Sequence, residues 1–584
     1  MQPVERVASR KGGFVVLSRS FGIALLVSLA AACGPASTPR DQPSSPRQSD
    51  PSEQSVRPVS TKRVTAAIPA DPPAVYNAMN PPGVGGQGNA LQELALAGLT
   101  IHDNNSRLHP QLAEAVPSLE NGLWRVLPEG RMETTWRIRS GASWHDGTPF
   151  TSEDLVFTAQ VVRDPDLPAF SNVNYRAIEG VDAPDARTVT VRWKEPFIKA
   201  DAMFAQELAA PLPRHLLEPA FVSAKGTFTE LPYWGQDYVG TGPFKLAEFE
   251  RGSHMLFQAF DGFVLGRPKI DQVDVRFIQD EAAIVASIMA GAVDLTLSRA
   301  LGPEHGFTLR DQWRDGRVEW DQVGSWFVMY PQLLDPNPPV ILDVRFRRAL
   351  LHATNRPELA DTLIGDGTGV PHGLVHPTET EYPQVQSSIV RWEYEPRRAA
   401  QLIESTGYTR ATDGFYQDPA GRRLQLELNA TPNDAHLKIL ATLGDAWSRQ
   451  GIGVEQVVIP RQRSQDQEYR STFPGLAVQG HPVGLERFHS REARLPERNY
   501  TGLNNTRYMN PELDGLIDHY FSTIPTADRN RFLAQIVHHV SDQVVVLPLA
   551  WRADPTAIAS RLAHVAAKGP TATQAWNAYE WDAR

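Results

Sequence analysis

The sequence predicts an α/β protein of two or three lobes, and three observations carry that reading. At 584 residues the chain is several times the usual length of one domain. From Thr61 onward, segments of strand period alternate with segments of helix period, and no short repeat points to a solenoid or propeller. One stretch, residues 424 to 459, reads as a complete parallel βαβ crossover. The composition agrees: 41% hydrophobic and 21% charged residues are close to the average for a soluble globular protein. The net charge of -10 and the lack of a dense Lys/Arg block exclude the basic footprint of a nucleic-acid binder.

The N-terminus precedes the fold. Arg6, Arg10, Lys11 and Arg19 lead into the apolar run Phe21 to Ala32, which ends at Cys33. This is the layout of a secretory signal. Twelve residues at a helical rise of about 1.5 Å span roughly 18 Å, short of the ~30 Å hydrocarbon core of a bilayer, so processing is expected rather than a permanent span. Residues 1 to 33 therefore read as a signal with a lipobox, and Cys33, the sole cysteine, as a lipidation site, with a buried free thiol as the alternative. Residues 34 to 60 are rich in Pro, Ser, Gln and charge and lack the large apolar residues needed for a core; a disordered linker is expected there.

The body follows element by element. Trp136 and Ile138 alternate with Arg137 and Arg139 as in a half-buried strand, and Val189, Val191 and Trp193 repeat the pattern. Between them Thr151 and Asp154 have the spacing of a helix capping box. After Asp343, Phe346, Ala349, Leu350 and Ala353 form one buried helix face, and a second helix restarts at Pro357. In the crossover, Leu424, Leu426 and Leu428 mark a strand. Leu437, Leu440, Leu443 and Trp447 mark the buried face of the helix, and residues 454 to 459 form the second strand. Asn510 with Pro511 opens a helix, Thr526 opens another, and a buried strand is expected from Val544 to Leu549.

In this order the segments resemble the extracellular solute-binding proteins of the peptide, nickel and oligopeptide ABC importers, over nearly all of residues 61 to 565. The strongest stretch is TWRIRSGASWHDGTPFTSEDLVFTAQ, Thr135 to Gln160. Others are VGTGPFKLAEFERG from Val239, GAVDL from Gly291, DVRFRRALLHATNR from Asp343 and VVVLPLAWR from Val544. The resemblance implies a periplasmic-binding-protein-like fold of type II, two lobes joined by a hinge plus an extra small domain. The implied layout places the first lobe at 61–98, 234–325 and 540–584, the small domain at 99–233 and the second lobe at 326–539. It further implies an exported, lipid-anchored monomer, without cofactor or catalytic residues. Its solute would be a peptide or, alternatively, a metal chelate, an opine or a sugar. Its partner would be an ABC permease in the membrane. An exported hydrolase or a structural lipoprotein is the alternative of a different class.

Several motifs weigh against that background. His145 and Asp146 are adjacent, but neighbours on a Trp-His-Asp-Gly-Thr-Pro turn point apart, so turn chemistry is expected there, with Trp144 a packing anchor. Gly83 to Gly88 fits a dinucleotide pattern, yet Pro81 and Pro82 occupy the strand that should feed it, so a loop is expected. His372 and His376 have helical metal-ligand spacing, but Pro371, Gly373 and Pro377 favour a surface loop, and no metal site is expected. No H-E-x-x-H, G-x-S-x-G or P-loop pattern occurs.

For solute contacts the resemblance points to Gln87 and Asn89 beside the cleft. It also points to Trp326, Tyr330 and Trp551, each of which reads equally well as a core aromatic. In residues 473 to 488 the aspartate that pairs with a peptide's α-amino group in the family is absent. Gln479 and His481 occupy that neighbourhood, with Glu486 as a shifted candidate.

Overall fold

The protein is described by a computed structural model that covers residues 61–80, 85–170, 172–365, 369–463 and 466–584. The expected signal segment, Cys33 and the 34–60 linker lie outside the described residues. Among the described residues, no helix is long and apolar enough to cross a membrane.

The described chain opens with strand β1 (Arg63–Ile68) and helix α1 (Gly85–Ala95). A small antiparallel sheet follows, built from β2 (Trp124–Val126) and β3 (Met132–Arg137), then, after helix α2 (Ser152–Val162), from β4 (Ile178–Asp185) and β5 (Thr188–Trp193). Trp136 faces Val189 across β3 and β5, so the two strands read from alternation are direct neighbours. The backbone N–H of Thr151 donates to Asp154 Oδ2 at 2.9 Å, which is the predicted cap of α2.

The chain then returns with β6 (Phe244–Glu250), β7 (His254–Ala259), β8 (Gln272–Phe277) and β9 (Leu295–Thr296). The long strand β10 (Gly316–Pro331) leads to helix α3 (Val344–His352) and to the crossover β11 (Gln425–Ala430), α4 (Asp434–Arg449) and β12 (Gly453–Val458). Strand β13 (Leu476–Pro482), helices α5 (Pro511–Ser522) and α6 (Thr526–Asp542) and strand β14 (Leu547–Ala559) complete the frame. β11 and β12 pair in parallel, as the crossover reading requires. One correction applies within it: Leu437 is 38% exposed, and Ile439 takes its place on the buried face of α4 with Leu440, Leu443 and Trp447.

All the long strands outside the small sheet form one ten-stranded sheet in the order β12, β11, β13, β10, β14, β9, β1, β8, β7, β6. Its halves serve different cores. Val64, Leu91 and Val273 pack in one core together with Trp136 and Trp193 of the small sheet. Phe346, Leu428 and Trp447 pack in a second, and Trp326, Ile536 and Val545 in a third beside it. Only β10 and β14 run through the whole junction, antiparallel from Gly316 opposite Ala559 to Met329 opposite Leu547.

The closing strand differs from its expectation. It begins at Leu547 and extends to Ala559, so a 13-residue element leaves the second core and enters the first. Val540 and Val545 pack in the third core, Leu549 and Ala553 in the second, and Ala557, Ile558 and Ala559 in the first, so the chain passes from core to core along β14. In the other direction Ile524, between α5 and α6, is buried against the first core.

At the middle of the junction Asp321 on β10 stands directly opposite Asp554 on β14. Like charges across a ladder repel, and both carboxylates are buried. Asp321 accepts from Thr556 Oγ1 at 2.6 Å, Gln574 Nε2 at 2.9 Å and the Lys568 backbone N–H at 2.9 Å. Asp554 is held by Arg299 at 2.9 Å and Arg552 at 3.1 Å. Burial pushes the Asp321 carboxyl up, which favours its protonated form and relieves the repulsion. Asp321→Ala would leave the Thr556 hydroxyl and the Lys568 N–H without their acceptor, while Gln574 Nε2 keeps Thr556 Oγ1 and Ser298 O, and is expected to cost about 3 kcal/mol, read as a lower urea midpoint at unchanged slope. Asp321→Asn, which keeps an acceptor oxygen in place, is expected to cost less than half of that.

Candidate functional site

A cavity of about 440 Å³ opens where α1, the small sheet's flanking loops and the segment after β14 meet. α1 contributes Asn89, Gln92 and Glu93 to its lining, and the preceding turn contributes Tyr76 and Asn77. Ala169, Phe170, Asn172 and Tyr175, with Gln206, Glu207, Ala209 and Ala210, form the facing side, and Lys568 with residues 570 to 573 the third. The glycines expected as a loop instead enter the first turns of α1 from Gly85 on. A Cβ on Gly240 or Gly242 would fall 1.9 Å from Ala95 O or 2.4 Å from Ala95 C, so those glycines let the end of α1 seat against the 239–252 segment.

The wall is rich in hydrogen-bonding groups. Gln92 Oε1 accepts from the Asn77 backbone N–H at 2.6 Å, and the Asn77 Oδ1 is buried without a partner among the described residues. Gln206 Nε2 donates to Asn89 O at 2.8 Å. Glu93 accepts from the Thr573 hydroxyl and, at 3.2 Å, from the Thr573 backbone N–H. Burial raises the Glu93 carboxyl to about 7 against the opposing pull of those bonds. Such a set can hold a polar solute through both donors and acceptors.

A second group of polar residues sits at the end of β13. His481 lies opposite Trp326 in the β13–β10 ladder. Its ring stacks on Tyr330 at 5.5 Å and 16°, and the Tyr330 hydroxyl bonds Nε2 while Nδ1 faces Pro482 O at 2.8 Å. Burial, reinforced by the neighbouring Arg487, lowers His481 to about 4, so the ring is neutral, donates through Nδ1 and accepts through Nε2. Burial likewise pushes the Tyr330 phenol up. Gln479 Oε1 meets Asn505 Nδ2 at 3.4 Å.

The candidates read from sequence thus separate. Asn89 lines the cavity, the backbone of Gln87 lies in α1, and the side chain of Gln87 lies outside the described residues. Trp326 and Trp551 stack at 6.0 Å and 21° within the third core, and with Tyr330 they are at most 2% exposed. His376 was expected on a surface loop; its loop is irregular as predicted, but the side chain is buried with its ring 4.7 Å from that of Trp551. His145 and Asp146 do part: His145 Nε2 meets Gly242 O at 3.0 Å and Asp146 meets His215 at 2.7 Å, while Trp144 is fully buried. Glu486 is half-buried beside Gly484, with its carboxylate 3.1 Å from where a Cβ there would lie. Sequence reasoning missed Tyr76, Glu93 and the 568–573 segment. Glu93 had a signal, a carboxylate inside the apolar run LQELALAGL.

The sequence profile described as Bacterial extracellular solute-binding proteins, family 5 Middle, matches residues 107–481. The chain belongs to this family. A Brucella ovis protein named for ABC-transporter peptide binding is 28% identical over 269 residues, and the match spans about half of each chain, 46% of this one and 48% of the relative. The oligopeptide-binding protein AppA of Bacillus subtilis is 23% identical over 438 residues, 73% of this chain and 75% of AppA. Its structure with a nonapeptide superposes with a TM-score of 0.65 at 19% identity, over 90% of this chain and 99% of that one. NikZ from Campylobacter jejuni, in complex with Ni(L-His), gives 0.68 at 19% identity over 89% and 99%. The fold of this family member is therefore that of the type II periplasmic binding proteins.

Two outcomes follow. Trp551→Ala removes a buried, stacked indole and is expected to cost about 3–5 kcal/mol, seen as a lower melting temperature. Because Glu93 has a raised folded-state pKa, its contribution is full below about pH 4.5 and is lost as the pH rises through about 7. Glu93→Gln is expected to flatten the fall in urea midpoint between pH 5 and pH 8.

Proposed function

We propose that this protein is the solute-binding receptor of an ABC importer, exported and anchored through an acylated Cys33. On this reading it works as a monomer without cofactor or catalysis. It captures a peptide or peptide-like solute and presents the closed form to a membrane permease. The observation that carries the reading is the 440 Å³ polar cavity at the junction of α1, the small sheet's loops and the 568–573 segment, in a member of family 5. Two lobes joined by β10 and β14 are the arrangement in which hinge closure engulfs a ligand. Contacts already bridge them: Lys438 of α4 pairs with Glu304, and Ile524 packs in the first core.

A non-peptide solute is the second reading. It is favoured by residues 473–488, where Gln479 and His481 stand and His481 is neutral, so neither side chain offers a constant negative charge to an ammonium group. AppA is seen with a nonapeptide and NikZ with Ni(L-His), which supports a fold that serves both kinds of solute.

Mass spectrometry of solute released from the mature body, followed by calorimetry with that compound, tests the receptor. The expected outcome is stoichiometric binding without turnover; turnover would establish an enzyme instead. For the anchor, metabolic labelling with a fatty-acid probe is expected to mark the wild type and to leave Cys33→Ala unlabelled.

A further inference from the structure

The hairpin of β6 and β7 forms one outer edge of the ten-stranded sheet, and its tip gathers three side chains of metal-ligating type. His254 stands opposite Glu250 in the ladder. Glu250 Oε2 lies 3.6 Å from His254 Nδ1, and Glu248 Oε2 lies 3.9 Å from His254 Nε2. One ligand atom from each of the three lies within 4.8 Å of the other two. None of these residues lines the 440 Å³ cavity.

A bulge makes this arrangement. Side chains alternate along a strand, so Phe244, Leu246, Glu248 and Glu250 would share one face of a regular β6. Phe244 and Leu246 pack in the first core, a face that has no place for two carboxylates. The register shifts between Leu246 and Glu248, after which Phe249 packs against that core, opposite Met255. Glu248 and Glu250 are thereby turned to the other face, beside His254; re-aiming side chains is what bulges do.

Turned outward, the two carboxylates lack a compensating cation. Arg251, in the turn beside them, is engaged by Asp71 at 3.1 and 3.2 Å. Among the described residues His254 is the only basic group within ion-pair distance of either glutamate. Ser253 Oγ sits 3.2 Å from His254 Nδ1. A proton on Nδ1 shared with that hydroxyl leaves the Nε2 lone pair open, which is how an outer partner orients a ligating imidazole. The imidazole is 19% exposed and held by its surroundings, whereas both glutamates are more than half exposed and can rotate. Donors about 2.0–2.2 Å from one ion stand roughly 3–4 Å apart, so a small rotation of the glutamates completes the set.

We propose that Glu248, Glu250 and His254 form a surface site for a divalent transition cation such as Zn²⁺ or Ni²⁺, bound through one imidazole nitrogen and two carboxylates. A nitrogen with two oxygens suits these ions better than Mg²⁺ or Ca²⁺, which take oxygen alone. The cation offsets the paired negative charge and ties β6 to β7 at the sheet edge, so its binding stabilises the folded chain. The site stands apart from the solute cavity and does not depend on the receptor reading.

The test is calorimetry of the untagged mature chain with ZnCl₂ and, separately, with NiCl₂. One saturable site is expected, together with a rise in melting temperature when the ion is present. His254→Ala is expected to abolish that site, and Glu248→Gln and Glu250→Gln each to weaken it roughly tenfold or more. Ser253→Ala is expected to weaken it roughly tenfold by freeing the imidazole to turn. His538→Ala, which removes an exposed histidine elsewhere, is expected to leave it unchanged. Metal-free melting temperatures equal to that of the wild type show that the variants fold. Saturable binding that survives in His254→Ala, MgCl₂ bound as tightly as ZnCl₂, or no saturable binding of either transition ion would overturn the site.

Discussion

The structure hangs on a single antiparallel ladder. β10 and β14 are the two strands that join the halves of the ten-stranded sheet, and everything on either side is positioned by their register. That ladder passes an acidic pair through the molecule's centre, which a hydrophobic junction would avoid. Buried charge is weak support for stability, but it fixes one arrangement, because any slip of register would strand Asp321 away from Thr556, Gln574 and Lys568. The same donors belong to the segment that continues into the cavity wall at residues 568 to 573. Register at the β10–β14 junction and shape at the cavity are thus one constraint.

Much of the fold was legible because it rests on local periodicity. The capped helix α2, the β3–β5 pair and the β11–α4–β12 crossover need only alternation, a capping residue and a turn. Where the reading slipped, tertiary context decided. Leu437 fits the stripe of α4 yet faces solvent, since the stripe drifts around the helix and Ile439 covers the sheet instead. β14 was read too short because Arg552 and Asp554 interrupt an apolar run, and a charge pattern in sequence does not say that Arg299 and Arg552 hold Asp554 from opposite sides. His376 does lie on a loop, but not at the surface: proline and glycine break helices but do not keep a ring out of the core.

The site was harder to read. Its cavity joins residues from near 76, 93, 170, 206 and 570, and no local pattern links them. Asn89 was found through a family resemblance, whereas Glu93, four residues on, was passed over as part of an apolar helix. The aromatic candidates Trp326, Tyr330 and Trp551 are buried in the third core, with Trp326 and Tyr330 on β10 in register with His481 and Ala477 of β13. Aromatic residues at a lobe edge advertise apolar area, and sequence alone does not say which side of the sheet receives it.

The contacts that close the first core and the cavity wall join residues widely separated along the chain. Glu93 bonds Thr573, 480 residues later, and Arg63 O accepts from Arg561 Nη2, 498 residues later. Contacts of such long span form slowly, because the loop they close must be ordered before they reward it. The first core and the cavity wall therefore cannot be completed until the segment beyond β14 is in place, so both are late products of folding.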